Sequence, residues 1–462
     1  MMITFARGSL IPMALALLPQ SAWSSGFALI EQSGSGTGNA YSGSAAAAED
    51  ASTVYFNPAG MSLLPSGKHI SIGGHYIEPS ASFRNGASTP ATLFGGTSPN
   101  LTSDQAGTSA LVPNAYFVMD WSPDTRVGLG VSVPFGLTTE YSNDWVGRFQ
   151  GIKSELMTIN INPSASWKLN DRIAVGIGLN YQHINAEFTS KTNYAASVFS
   201  GVVAAGGGVP AATAAAAGVA AAGQAEGLTT LKGKDAAWGW NAGLAIALSP
   251  QTRLAAAYRS RIKYTLEGTV KFDNRPGALA AAAPDGSIKL NVSMPDTLSL
   301  AFSHFLDARL QILGDVTWTG WKVLSKFEAV RTNSIPASGT TLLSIPYNWR
   351  NTWRVGLGAN YQANDRWTLK AGVAYDQTPT NNTDRGVRLP DGNRTWLSAG
   401  AKYRLSDSST LDFGYARLFV KDPGINSNSG GVNQNNTAAF ALVNGKYDSS
   451  VNILSAQYNH RF

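Results

Sequence analysis

Cysteine is absent from the 462 residues, and charge is scarce, with Asp, Glu, Lys and Arg at 14%. An ordinary soluble domain carries roughly 25%. Without cysteine, no disulfide can brace an exported chain. Stability must then come from extensive backbone pairing or a large core. Long apolar runs are also missing after the N-terminus. The nearest candidate, 198–222, is cut by Gly206, Gly207, Gly208, Pro210 and Gly218. No transmembrane helix is therefore expected. Histidine is rare, and His69, His75, His183, His304 and His460 show no metal-ligand spacing. No nucleophile is marked and no phosphate loop is present, so neither catalysis, metal nor cofactor is expected. The net charge of +6 is spread along the chain without a basic cluster, which argues against nucleic acid as a partner.

What is present is glycine (48 residues), aromatics (10%) and strict alternation. Arg7 precedes the apolar run "LIPMALALLPQSAW", and Ala22 and Ser24 fit a cleavage site, so residues 1–24 read as a signal peptide. Beyond it, period-2 alternation dominates. In "RIAVGIGLNY", Ile173, Val175, Ile177, Leu179 and Tyr181 share one face, and Ala174, Gly176, Gly178 and Asn180 the other. Trp353, Val355, Leu357, Ala359 and Tyr361 repeat the pattern. A soluble sandwich would put Lys and Glu on the second face. Small and amide side chains there fit a membrane barrel, with apolar residues toward lipid, aromatics at the interfaces and a polar lumen.

Fourteen strands are expected, near 68–78, 111–121, 126–140, 151–169, 172–189, 235–249, 252–270, 288–306, 308–325, 348–364, 366–378, 393–406, 409–421 and 448–462. Short turns alternate with long loops, as in bacterial outer-membrane barrels. The fold class is thus all-β, a 14-stranded antiparallel transmembrane barrel over 68–462. Residues 25–67 do not alternate. Fourteen strands enclose a lumen too wide for side chains to fill, so this segment is expected to fold inside as a hatch, the alternative being a periplasmic tail.

One strand is interrupted. "VSVPFGLTTE" places Pro134-Phe135-Gly136 inside the third strand. Proline cannot donate to the ladder and glycine weakens it. The break is either a gap in the wall or a bulge that adjusts curvature.

The segments "SGFALIEQSGSGTGNAYSG", "AAAAEDASTVYFNPAG", "VPNAYFV", "PFGLTTEY", "WGWNAGLA", "YRSRIKY" and "YNHRF" resemble the FadL/TodX family of outer-membrane transporters. The resemblance implies passive transport of long-chain fatty acids or aromatic hydrocarbons. It also implies capture at outer loops, a deeper pocket and lateral release at the kinked third strand. A non-specific aqueous porin, a structural barrel and a barrel-embedded hydrolase are the competing readings. Expected partners are a hydrophobic small molecule and outer-membrane lipid with lipopolysaccharide, and the protein is expected to be a monomer.

By the same resemblance, Asn57, Pro58 and Ala59 form a hatch motif near the kink, and Phe27 is an aromatic reaching the pocket. Arg350 matches a pocket cation, and Lys191 lies near a second. The fatty-acid carboxylate, anionic at neutral pH, would be held there; pairing with hatch carboxylates such as Glu49 and Asp50 is the alternative. Taking apolar parity as outward, Arg259, Arg261 and Lys263 are expected to form a basic lumenal face. The Ala/Gly-rich loop 190–234 is expected to form short helices for ligand capture, or flexible filler.

Overall fold

The computed structural model describes residues 26–91, 103–333, 338–427 and 440–462. The expected signal peptide lies outside them. Twenty-one hydrogen-bonded segments join in one antiparallel sheet and trace a closed 14-stave barrel. The staves are β1 (Lys68–Asn85), β2 (Ala110–Ser122), β3 (Thr125–Ser132, resuming at Gly136–Glu140), β4 (Lys153–Lys168), β5 (Ile173–Asn193) and β6 (Glu226–Ala247). They continue as β7 (Thr252–Arg259 and Ile262–Phe272), β8 (Gly286–Met294 and Thr297–Phe305), β9 (Leu310–Thr319 and Lys326–Arg331) and β10 (Thr341–Pro346 and Thr352–Gln362). The last are β11 (Trp367–Asp376), β12 (Arg394–Arg404), β13 (Ser409–Val420 and Gly424–Ser427) and β14 (Val443–Arg461). β14 pairs with β1, with Ile72 opposite Tyr458, which joins the two ends of the chain's sheet into a closed wall.

Alternation sets the two surfaces. Leu179 is 53% exposed toward lipid while its neighbour Asn180 is fully buried inward. Inside, the amides cross-link: Asn162 and Asn180 both donate to Asn241 Oδ1 at 3.0 Å. Aromatics mark the periplasmic rim, with Trp367 against Tyr403 at 4.6 Å between centroids.

The wall changes character toward the outer end. There the inward face is apolar, with Leu156, Ile184, Phe188, Leu231, Tyr264 and Leu290 all buried in one cluster. The outward face carries Lys232, Lys234, Glu267 and Lys289, above the lipid. Apolar residues must therefore switch from the outer to the inner face partway along each stave. In β5 the sequence parity itself switches: Tyr181 faces out and Ile184 faces in. In β7, β8 and β10 the backbone does it instead, at Ser260–Arg261, Pro295–Asp296 and Tyr347–Asn351, where each stave is interrupted. The β6–β7 register moves by one residue across the first of these, from Asn241↔Arg259 to Lys234↔Glu267. An extra residue inverts every side chain beyond it.

The hatch occupies the lumen through three single-turn helices, α1 (Gly34–Thr37), α2 (Ser44–Ala47) and α3 (Thr53–Phe56), and a 3-10 turn, Pro58–Leu63. It packs through small residues. Ala45 and Ala46 meet Ala255 and Ala301, and Ala59 meets Ala174 and Ala245. Gly176 must be glycine here, because a Cβ would collide with the backbone of Pro58 and Ala59. Above the barrel, the loop between β5 and β6 forms α4 (Tyr194–Ala204) and α5 (Gly208–Ala221), separated at Gly206 with φ +83°. Asn193 caps α4 by accepting from Ala196 N at 2.9 Å.

Candidate functional site

The third stave breaks where the sequence breaks. Pairing between β2 and β3 ends at Ala115↔Val131, and beyond it, among the described residues, an isolated bridge, Gly107↔Thr139, and Ser142 donating to Asp104 link the two sides. On its other side β3 stays paired to β4 through Gly136↔Met157. The exposed edge is met by the start of the hatch. Leu29 N donates to Pro134 O at 2.8 Å, and Gly136 N donates to Phe27 O at 2.9 Å. Gln32 completes the substitution with its side-chain amide: Nε2 donates to Val133 O at 2.8 Å and Oε1 accepts from Val133 N at 3.3 Å. Backbone groups freed by Pro134 are thus satisfied by a segment that is not part of the wall. Gly136 has no positive φ; its missing Cβ leaves space for Leu29 Cδ1, 3.0 Å from where the Cβ would stand.

Phe27 is buried against Phe135, Trp321 and Trp349, at ring-centroid distances of 6.1, 4.9 and 5.6 Å. The rings continue outward. Trp321 meets Trp349 at 4.9 Å, Trp349 meets Tyr347 at 5.0 Å, and Tyr347 meets Phe327 at 6.5 Å. Phe327 then meets Phe188 at 4.8 Å. Trp321 and Trp349 were not among the sequence-based candidates. The signal for Trp349 was the alternation of Ile345, Tyr347 and Trp349, whose apolar parity points inward because it lies above the lipid; Trp321 sits in the irregular break of β9, where alternation gives none.

The parity inversion also redistributes the expected cations. Arg259 does enter the lumen, where Nη2 donates to Tyr55 O at 2.9 Å and the guanidinium covers the Tyr55 ring at 4.2 Å. Arg261 and Lys263 do not share that face: both point outward, Arg261 toward Asp296 at 3.3 Å. The one-residue shift at Ser260 puts Ile262 and Tyr264 inside in their place. Arg350 is exposed for the same reason, with Trp349 inward beside it, and its Nε donates to Thr378 O at 3.2 Å. Lys191 is half-buried at the outer end of β5, and its backbone N donates to Arg148 O at 2.8 Å.

The hatch motif is built in, but against β5 and β6; the kink is met by residues 27–32 instead. Asn57 Nδ2 donates to Ala45 O at 2.8 Å and Leu244 O at 3.2 Å, while its Oδ1 accepts from Ala59 N at 3.0 Å. Pro58 then begins the 3-10 turn, where its missing N–H costs nothing. Glu49 fixes the other side, accepting from Lys370 Nζ at 2.7 Å, Lys402 Nζ at 3.0 Å and Asn360 Nδ2 at 2.7 Å. Burial alone would raise the Glu49 pKa, but the two lysines hold it well below the usual carboxylate range. Asp50 takes neutral donors, Ser35 Oγ at 2.6 Å and Gln457 Nε2 at 2.9 Å. Arg354 is paired with Asp315 at 3.2 Å. Glu31 is the contrast: its Oε2 is buried with no hydrogen-bond partner, and burial pushes its pKa up to about 7. Between hatch and wall a cavity of about 150 Å3 remains, lined by Tyr41, Tyr55, Phe56, Arg259 and Arg354 among others.

Residues 27–32 of the hatch thus occupy the open edge of β3, beneath a buried apolar cluster at the outer end of the barrel. The chain is 30% identical over 442 residues to the long-chain fatty acid transport protein of Escherichia coli K12, covering 92% of this chain and 94% of the relative. It is similarly 30% identical over 421 residues to outer membrane protein P1 of Haemophilus influenzae, covering 89% of each. Among solved structures, a Pseudomonas aeruginosa FadL homologue superimposes with a TM-score of 0.81 at 26% identity, over 95% of this chain and 100% of the other. The toluene transporter TbuX of Ralstonia pickettii shares the fold, with a TM-score of 0.61 at 18% identity over 95% and 99%. The profile of the outer membrane protein transport protein family (OMPP1/FadL/TodX) matches residues 15–462. The chain belongs to this family of outer-membrane transport proteins.

Proposed function

We propose that the protein carries hydrophobic small molecules passively across the outer leaflet, releasing them sideways into the membrane. Cargo is gathered at α4 and α5 and passes down the apolar upper chamber along the aromatic rings. It reaches Phe27 and Phe135, and leaves between β2 and β3 once the Phe27–Leu29 strand detaches. The observation carrying this reading is that the open edge of β3 is paired to the hatch and not to β2. Phe27, Leu29 and Gln32 hold that edge by hydrogen bonds, and an apolar molecule that takes this route never crosses water. The names of the relatives support long-chain fatty acids, and those of the structural neighbours suggest toluene, as candidate cargo.

Reconstituted liposomes test this. The protein should speed transfer of a labelled long-chain fatty acid into the bilayer while admitting little sugar in a swelling assay. Sugar flux at the level of an open porin, without faster lipid-phase transfer, would overturn it in favour of an aqueous pore.

A further inference from the structure

The wall is broken a second time, between β8 and β9. Their ladder holds through Leu290↔Ala329 at the outer end and Thr297↔Thr319 below. Between these pairs, residues 291–296 of β8 face residues 320–328 of β9, and among the described residues no paired position lies in the interval. Gly320 N, donating to Asp296 O at 2.9 Å, ties its lower end. The interruption of β7 is different. There Ser260 stays stitched to β6, its N donating to Trp240 O at 2.8 Å and its Oγ accepting from Trp240 N at 2.9 Å.

β9 uses its longer path to fold inward. Trp321–Val323 make a single 3-10 turn, and Trp321, Leu324 and Phe327 are buried in the same apolar cluster as Val292 and Met294 of β8. This turn fills the gap with side chains where a ladder would fill it with backbone. Its Trp321 Nε1 is buried without a hydrogen-bond partner, so apolar packing holds that ring. The ring also lies 4.9 Å from Phe27 and 6.2 Å from Phe135, at the edge of the break in β3.

The rim shows what the gap faces. Just below it, Tyr258, Leu298, Trp318 and Trp353 lie in one row across four staves, the aromatic band expected where barrel meets headgroups. Along the gap the outward side chains are Asn291, Ser293, Lys322, Ser325, Lys326 and Glu328. Unpaired backbone is not tolerated in hydrocarbon, but here headgroups and water can meet it. The interval runs about 20 Å along β8. A polar rim over an apolar interior suits a molecule with one polar end and one tail.

We infer that the upper chamber has a second side opening, between β8 and β9, through which single-chain amphiphiles enter from the headgroup layer when the Trp321 turn moves aside. This rests on the hydrophobic-transport reading and adds a point of entry to it, separate from the exit at β3.

The chain has no cysteine, so introduced thiols report without background. Met294→Cys puts one on the inward face of β8 at the gap, and Ala416→Cys puts one in the fully paired wall of β13, both at positions with no exposure. In the purified folded barrel, N-ethylmaleimide should label position 294 severalfold faster than position 416. Continued past Leu290↔Ala329, the register sets Ser293 opposite Lys326. Ser293→Cys with Lys326→Cys can therefore be joined by a short bis-methanethiosulfonate. In liposomes, the joined variant should transfer a labelled long-chain fatty acid severalfold more slowly than the same protein after reduction. Thr395→Cys joined to Phe419→Cys, across paired β12 and β13, should transfer equally in both states. Equal labelling at 294 and 416, or transfer unchanged by the link across the gap, overturns the second opening and leaves the transport reading standing. No transfer by wild type overturns both.

Discussion

Phe27 stands edge-on to Phe135 across the broken stave, with ring centroids 6.1 Å apart, and its carbonyl accepts from Gly136 N at 2.9 Å. One residue thus joins the apolar track to the open strand edge through both side chain and backbone. Truncating Phe27 to Ala removes three ring contacts and keeps the backbone bond. Each ring pair contributes about 0.5–1.5 kcal/mol. The gate should loosen, and a bound fatty acid should dissociate about tenfold faster in stopped-flow fluorescence, with the thermal stability of the barrel unchanged. An unaltered dissociation rate would remove Phe27 from the gate.

Replacing Pro134 and Gly136 together by Val should close the seam. Position 134 regains a donor, and a side chain at 136 pushes Leu29 away. The barrel should still show heat-modifiable migration on gels, while cellular uptake of labelled cargo falls. Uptake equal to wild type in that folded double variant excludes release between β2 and β3.

Asn57→Ala strips three hydrogen bonds that tie α2, the 3-10 turn and β6 together. Ala45 O, Leu244 O and Ala59 N each lose a buried side-chain partner, a loss of about 2–3 kcal/mol to the hatch. Hatch amides should exchange faster with solvent and sugar leakage should rise, while the wall amides keep their protection. Equal protection of hatch amides in the variant would show that the motif does not hold the hatch.

Two hatch carboxylates give opposite pH dependences. Glu49 has a lowered pKa, so its stabilising contribution is complete above its unfolded value near 4.3 and fades only as pH falls toward the lower folded value. Glu31 has a raised pKa. Stability linked to it is intact below about 4.3 and is lost as pH rises through about 7, to the extent of about 3 kcal/mol. Hatch exchange in wild type should therefore accelerate from pH 5 to pH 8. Glu31→Gln should flatten that rise, and Glu49→Gln should loosen the hatch at both values. A rise undiminished in Glu31→Gln would assign the pH response to another group.

Much of this molecule was legible in its sequence. Alternation in 173–181 and 353–361 gave the staves and their lipid face because one-sided burial is written directly into period two. Pro134 announced the interruption, since a residue without N–H cannot be paired there. What alternation could not reveal was where it reverses. In "YRSRIKY" the apolar parity is continuous, yet Tyr258 and Ile262 lie on opposite faces because the chain takes up one extra residue at Ser260. That backbone event misplaced Arg261 and Lys263, and the interruption at Tyr347–Asn351 misplaced Arg350.

The inversions in β7, β8 and β10 lie at one level of the wall, since Arg259 pairs with Thr297, Thr297 with Thr319 of β9, and Thr319 with Thr352. Below them the outer surface is greasy; above them it carries Arg261, Lys263 and Lys289. Sinking those cations to the bilayer midplane would cost about 2–4 kcal/mol each, and raising the barrel would wet Trp238 and Trp240. The backbone thus bears its own waterline. A membrane thickened beyond that mark should bend to fit the protein, and the gap between β2 and β3 would stay at a constant depth in the leaflet.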